Sequence, residues 1–374
     1  MRRWTLPSGS PLIRASKNPP SRPRPPSLYR MSSRSPSRQA LSLFIVMACT
    51  LLASWVLLKK PEPNALVVYC AHDLVYSEAV LQEFERQTGI RCLVVADTEA
   101  TKSLGLVERI LRESGGPQCD VFWNNEILGT IQLQKAGRLE PYKGKGYERI
   151  PETFRDPSGD WTGFAARMRV WIVNTDKMGA TPEGIDQAIA AADLSRFAFA
   201  KPLYGTTLTQ YCLEWQHLGE APLKERHADW LKRGAKVVAG NGPVKDVVAT
   251  GTCDFGLTDT DDYFVAVDDK KPVAMLPYRL QGKTVAIPNT VAIVKGTRRR
   301  EQAQKLVDFL LSAETELRLA KSGSRQIPLG AVDGEKLPAE VRDLATLAKE
   351  SWDISTAAPA RDACLAWLKQ EYAR

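Results

Sequence analysis

The sequence lacks the short motifs that announce the commonest catalytic and nucleotide-binding chemistries. It has no GxGxxG or GxxxxGK[ST] phosphate loop, no HExxH, no GxSxG, and only three histidines in 374 residues. These absences weaken an enzymatic reading without excluding one. None of the seven cysteines forms a CxxC, and no zinc-ligand spacing appears. Residues 1–39 contain no Asp or Glu, yet carry nine basic side chains. Taking those nine from the net charge of +8 leaves the rest of the chain at −1. The basic excess therefore belongs to the leader, and no nucleic-acid groove is implied. No internal repeat is visible.

What is present divides the chain into segments. Residues 1–39 are rich in Pro, Ser and Arg and bury too little apolar surface to offset chain entropy, so a disordered leader is expected. Residues 40–58 carry no charge and end at Lys59-Lys60. A helix of that length spans about 28 Å, close to the hydrocarbon core of a bilayer. The run reads as a signal anchor or a signal peptide, and Val46-Met47-Ala48-Cys49 is similar to a lipoprotein cleavage box. Met1 and Met31 are both candidate starts. In each case the body faces outward, beyond a 59–64 linker containing Pro61 and Pro63. Cys49 lies in the apolar run, leaving Cys70, Cys92, Cys119, Cys212, Cys253 and Cys364. Disulfides and buried free thiols both suit these six outside the cytoplasm. A 44% hydrophobic composition with nine Trp can build a core, and the length after the leader suggests two lobes.

The body alternates strands and helices. Residues 65–69, 91–95 and 120–123 read as buried strands, with helices over 77–89 and 101–114 between them and Gly89 as a stop. Further strands are expected at 170–174, 236–238, 255–258, 285–287 and 290–294, the last two flanking a Pro288-Asn289 kink. Helices are expected at 182–192, 207–218, 299–311 and the C-terminus, which bears Trp367 and Tyr372. This rhythm predicts an α/β fold with its sites at the carboxyl ends of strands.

Polar groups follow several of those strands. His72-Asp73 after the first could ligate a cation, or Asp73 could cap the next helix. Thr98 and Thr101, hydroxyls at a helix start, suit an anion or simple capping. Asn125 and Glu126 follow the third strand. Asp259, Asp261 and Asp262, followed by Tyr263, repel one another unless a cation, a basic side chain or a water shell compensates; as a plain surface loop they need no ligand. Gly205, Thr206, Thr207 and Asn241 are further candidates. His217 and His227 lie on helical segments rich in Trp and Glu and read as surface or packing residues.

A series of distinct short motifs follows in order along the chain. It includes Glu83-Phe84-Glu85-Arg86-Gln87-Thr88-Gly89-Ile90, Asp120-Val121-Phe122-Trp123 and Gly137-Arg138-Leu139-Glu140-Pro141-Tyr142. Trp161-Thr162-Gly163-Phe164, Arg167, Arg169, Gly256-Leu257-Thr258-Asp259, Ile287-Pro288-Asn289-Thr290 and Ser324-Arg325-Gln326-Ile327-Pro328 continue it. Over roughly residues 66–330 the chain resembles the ferric-ion-binding branch of the solute-binding proteins of ABC transporters.

The resemblance implies a two-lobed type 2 periplasmic-binding-protein fold, each lobe a mixed sheet flanked by helices, preceded here by one hydrophobic helix. The lobes are expected at 65–165 plus 280–328 and at 166–279 plus 329–374. It further implies a monomer that closes on a ligand and delivers it to a permease, with no catalytic step. Ferric members of the family use a His, a Glu and two adjacent tyrosines, often with a synergistic small anion. By resemblance His72 or Asp73 and Glu126 stand near the first two positions, with Asn125 in the Glu's own place. Asp261-Asp262 replace the tyrosine pair, and Tyr263 follows. Gly205, Thr206, Thr207 and Asn241 match the anion pocket. Carboxylates are hard ligands but discriminate less among cations than phenolates. The expected ligand is therefore ferric ion or a related cation. The alternatives are an organic solute (polyamine, thiamine or phosphonate), a metal-dependent phosphoester hydrolase and a receptor ectodomain.

Overall fold

The computed structural model describes residues 65–97, 104–113 and 116–373; the leader, the apolar run at 40–58, the 59–64 linker, Thr98 and Thr101 lie outside the described residues. Among the described residues no helix is long and apolar enough to cross a membrane.

Strands β1 (Leu66–Cys70), β2 (Cys92–Ala96) and β3 (Val121–Asn124) pair in parallel, with β1 in the middle. Helices α1 (Leu74–Thr88) and α2 (Leu104–Arg112) connect them. Their apolar spacing explains the packing: Val80, Leu81 and Phe84 are buried on α1, and Leu106, Val107 and Ile110 on α2. Gly89 ends α1 at φ 72°, a left-handed position that a side chain would strain, and its amide donates to the Glu85 carbonyl at 2.8 Å. Helix α3 (Leu128–Lys135) and β4 (Leu139–Glu140) follow.

The next strand, β5 (Thr162–Asn174), runs for 13 residues and leads into the second half of the sheet. There α4 (Pro182–Ala190), β6 (Phe197–Ala200), α5 (Gly205–Leu218), α6 (Glu220–Lys232), β7 (Lys236–Val238), α7 (Asn241–Ala249), β8 (Phe255–Asp259), α8 (Thr260–Asp268) and β9 (Val273–Pro277) succeed one another. A hairpin of β10 (Arg279–Leu280) and β11 (Lys283–Thr284) leads into β12 (Ala286–Val294), and α9 (Arg300–Leu310), α10 (Ala313–Lys321), α11 (Ala339–Ala348) and α12 (Arg361–Glu371) complete the chain.

The two mixed sheets implied by the resemblance are joined into one. Its order is β2-β1-β3-β12-β5-β8-β6-β7, with β4 beside β12 and β9 beside β5. The junction is β5 itself. Its residues from Thr162 to Met168 pair antiparallel with β12, and those from Arg169 to Val173 pair antiparallel with β8. The break expected at Pro288-Asn289 is a β-bulge within one continuous strand, because the register shifts there and Ala165 is the extra residue on β5. Ala165 sits at φ 43°, a strained value for a residue with a Cβ. Buried Glu316 fixes it, accepting hydrogen bonds from the amides of Ala165 (2.8 Å), Leu329 (2.8 Å) and Gly330 (3.1 Å) and pairing with Arg149 at 2.7 Å.

His227 on α6 is a packing residue, as its surroundings in the sequence suggest. It is buried, with Tyr211 Oη 2.9 Å from Nδ1 and Tyr372 Oη 3.2 Å from Nε2. Burial disfavours its charged form and pushes its pKa down to about 4. In the unfolded chain a histidine protonates near ~6.5, so this site's stability is intact above that pH and lost as the pH falls from there toward 4, at about 1.4 kcal/mol per pH unit. His227→Gln is expected to flatten the acid limb of a plot of unfolding free energy against pH by one proton; an unchanged slope between pH 6.5 and 4.5 would contradict this.

Candidate ligand-binding cleft

Strand β5 carries two arginines on one face, Arg167 and Arg169, in an otherwise apolar run. Both are buried, and each meets an aspartate from the end of β8 and the start of α8. Arg167 Nε donates to Asp261 Oδ2 at 3.2 Å, and its Nη1 donates to the Asn125 carbonyl at 2.5 Å. Arg169 Nη1 donates to Asp259 Oδ1 at 2.8 Å and to Asn241 Oδ1 at 3.1 Å. Burial opposes the charge on Arg167, but Asp261, Asp259 and Asp73 outweigh it and raise its pKa. The other oxygen of Asp259 accepts from Thr206 Oγ1 at 2.5 Å and Asn241 Nδ2 at 2.9 Å. Asp262 accepts from Thr258 Oγ1 at 2.8 Å.

These contacts form the floor of a cleft of about 200 Å³ that opens to solvent. Asp73 and Asn125 line it from the ends of β1 and β3; Lys201, Tyr204, Gly205, Thr206, Thr207, Asn241, Gly242, Asp259, Asp261 and Asp262 line it from the other half of the sheet. The location follows the rule that open α/β sheets bind ligands beyond the carboxyl ends of their strands. Three helices, α5, α7 and α8, begin at its wall, and none has a side-chain hydrogen bond at its cap residue. Their first-turn amides and dipoles favour negative charge.

Carboxylates oppose that field. Ligand oxygens of Asp259, Asp261 and Asp262 can all lie within 4.8 Å of one another, the spacing a single cation needs. The half-buried phenol of Tyr76, on α1, is pushed up to about 12 by burial and by the negative field of Asp261, Asp73 and Asp262. Four carboxylates, two guanidiniums and one ammonium leave the cleft near electrical balance. It is therefore suited to a cation and an anion together rather than to a bare ion of either sign.

Nine of the sequence candidates meet in this cleft: Asp73, Asn125, Gly205, Thr206, Thr207, Asn241, Asp259, Asp261 and Asp262. Three described ones do not line it. His72 is buried, stacked on Trp123 at 5.2 Å, with Nε2 2.6 Å from the Gln326 amide group. Glu126 accepts the amide hydrogens of Leu128 at 2.5 Å and Gly129 at 2.8 Å, which holds it at the start of α3. Tyr263 lies half-buried with its ring centroid 5.2 Å from that of Phe264. The acidic run is also not a loop, because α8 starts at Thr260 and carries Asp261 and Asp262 in its first turn. Lys201 and Tyr204 are lining residues that the sequence reading missed, as is the pairing role of Arg167 and Arg169. For the arginines, the Arg-x-Arg spacing inside an apolar strand is the signal; no signal marks the other two.

The profile of a family described as bacterial extracellular solute-binding protein matches residues 66–325. The major ferric iron-binding protein of Neisseria meningitidis is 25% identical over 282 residues, covering 71% of this chain and 81% of that protein. Iron uptake protein A1 of Synechocystis is 23% identical over 277 residues, covering 70% and 75%. Among solved structures, iron-bound HitA from Pseudomonas aeruginosa superposes with a TM-score of 0.69 at 20% identity, covering 82% of this chain and 99% of that one. AfuA from Actinobacillus pleuropneumoniae, with fructose-6-phosphate bound, gives 0.67 at 20% identity over 83% and 99%. These structures share the fold. With its profile matched across both halves of the sheet, the chain belongs to the bacterial extracellular solute-binding protein family.

Proposed function

We propose that this protein is the solute-capturing component of an ABC importer, taking iron or a related cation together with a small oxyanion. The observation that carries this reading is the Asp259, Asp261 and Asp262 cluster at the end of β8, whose ligand atoms fall within one coordination sphere. Asp73 and Asn125 offer further oxygen ligands from the other half of the sheet. The hydroxyls of Thr206 and Thr207 and the starts of α5 and α7 would hold the anion. The names of the relatives, which bind ferric iron or serve iron uptake, support the same choice. No side chain is assigned a catalytic role.

Delivery follows from the topology. A ligand held between the two halves of the sheet binds the closed arrangement more tightly than the open one, and a permease then reads the closed shape. Moving that equilibrium from 1:99 to 99:1 takes about 5.5 kcal/mol of differential affinity. The protein would work as a monomer outside the cytoplasmic membrane, with residues 40–58 serving as a cleaved signal or as an anchor.

A second reading is favoured by one observation. Asp261 and Asp259 are already paired with Arg167 and Arg169, so an incoming cation competes with guanidiniums. A phosphorylated organic solute would instead use the helix starts and Arg167, in the manner open to a fold shared with AfuA.

Calorimetry separates the two. Asp261→Asn combined with Asp262→Asn is expected to abolish cation binding, and unchanged metal affinity in that double variant would sink the metal assignment. Thr207→Val is expected to weaken anion-supported binding about tenfold, the loss of one charge-assisted hydrogen bond. Tyr263→Phe should leave ferric affinity within about twofold, since the phenol does not line the cleft and carboxylates supply the ligands. Tight binding of a sugar phosphate without metal would favour the second reading.

A further inference from the structure

Helix α8, which carries Asp261 and Asp262 into the cleft, is short and poorly matched to its own dipole. Its 9 residues are too few to hold a helix in water without tertiary contacts. The last turn has no basic residue and closes at Asp268, with Asp269 as the cap, where the helix dipole disfavours negative charge. The missing cation comes from elsewhere in the chain. Arg325 Nη1 and Nη2 donate to the two carboxylate oxygens of Asp268 at 2.8 Å and 2.7 Å, and the guanidinium lies 4.9 Å from the centre of the Phe264 ring. Arg325 Nε donates to Glu340 Oε1, on α11, at 3.0 Å.

Arg325 is itself held by the first half of the sheet. It follows α10, whose Leu319 packs in the same apolar cluster as Val68, Val80 and Phe84. It precedes Gln326, whose side-chain amide lies 2.6 Å from both His72 Nε2 and Asn289 Nδ2. Ile327 then exchanges backbone hydrogen bonds of 2.7 Å and 2.8 Å with Ala166 on β5. The φ of Arg325 is 42°, a left-handed value that strains a residue with a Cβ, so its contacts must hold it there. Asp261, Phe264 and Asp268 stand at i, i+3 and i+7 and share one face of α8. Arg167, from the part of β5 paired with β12, takes Asp261 at one end of that face, and Arg325 takes Asp268 at the other.

We propose that Arg325 is a positioning residue for ligand capture: it grips the C-terminal end of α8 from the first half of the sheet and so fixes where Asp261 and Asp262 stand in the cleft. This rests on the reading that those two carboxylates meet the ligand. Neither Arg325 nor Asp268 lines the cleft, so the effect passes through the helix. With a guanidinium at each end, α8 has one position relative to β5. With Arg167 alone it can pivot about Asp261, and the neighbouring acids then spread under their mutual repulsion.

The test measures amide hydrogen exchange in the full-length protein, together with calorimetric affinity for ferric ion supplied with citrate. Arg325→Met should speed exchange in the first turn of α8 about tenfold, and Asp268→Asn, which removes only a half-exposed acceptor, about threefold. Exchange in β1 and β8 should stay at the parent rate, and ferric affinity should fall by about the same factors as α8 loosens. Glu340→Gln cuts the other bond of Arg325 and should leave both readouts within about twofold of the parent. Unchanged α8 exchange in Asp268→Asn would overturn the proposal, and so would equal losses in Asp268→Asn and Glu340→Gln, or faster exchange at full ferric affinity. Should Arg325→Met fail to fold, Asp268→Asn decides. A parent protein that binds no ferric ion removes the metal assignment instead, and exchange alone then decides whether Arg325 places the two carboxylates.

Discussion

Taking a guanidinium out of water costs several kcal/mol, and β5 does so twice within three residues, at Arg167 and Arg169. Only a matched acceptor set makes that placement stable, and the rest of the cleft is the set of acceptors. Asp259 and Asp261 arrive from β8 and α8, Asn241 from α7, and Thr206 from α5 through Asp259. Removing one partner of such a pair strands the other charge and costs about 3–5 kcal/mol. The two ion pairs thus register three helix starts against the strand that belongs to both halves of the sheet.

Behind the cleft the same arginine continues inward. Arg169 Nε donates to Gln210 Oε1 at 2.7 Å, and Gln210 Nε2 donates to Glu214 at 3.0 Å. Glu214 also accepts from the Tyr278 hydroxyl and from Arg226. The amide of Tyr278 returns to the carbonyl of Arg169 at 2.9 Å. A closed ring of hydrogen bonds therefore ties the ligand floor to the segment that leads from β9 back to the first half of the sheet. Two nitrogens of this network, Arg169 Nη2 and Arg226 Nε, are buried without a hydrogen-bond partner.

Much of the fold was legible because short apolar runs bounded by Gly or Pro have few other uses. The strands at β1, β2, β3, β7 and β8 and the amphipathic helix α9 lie within a residue or two of where periodicity puts them. Helices α7 and α8 were not legible. Their first turns are polar, with Asn241-Gly242 in one and Asp261-Asp262 in the other, so they resemble loops until strand ends hold them in place. The site divides in the same way. Carboxylates and hydroxyls placed after strands identified the cleft, since chain position alone puts them there. His72, Glu126 and Tyr263 are polar groups beside those same strands, and tertiary packing decides that they face a Gln, a helix start and an apolar cluster instead. The sharing of charge between aspartates and arginines, which decides what ligand is admitted, depends on residues some ninety positions apart and lies beyond local reading.

Because β5 is a full member of both halves of the sheet, neither half can melt alone without baring an edge of the other. Loss of the second half would leave Arg169 to Asn174 as an unpaired apolar strand tail, and loss of the first would do the same from Thr162 to Met168. The molecule is thus built to unfold in one cooperative event, and a partly unfolded form would present a sticky ribbon to its neighbours. Cooperativity of this kind is also a safeguard against aggregation.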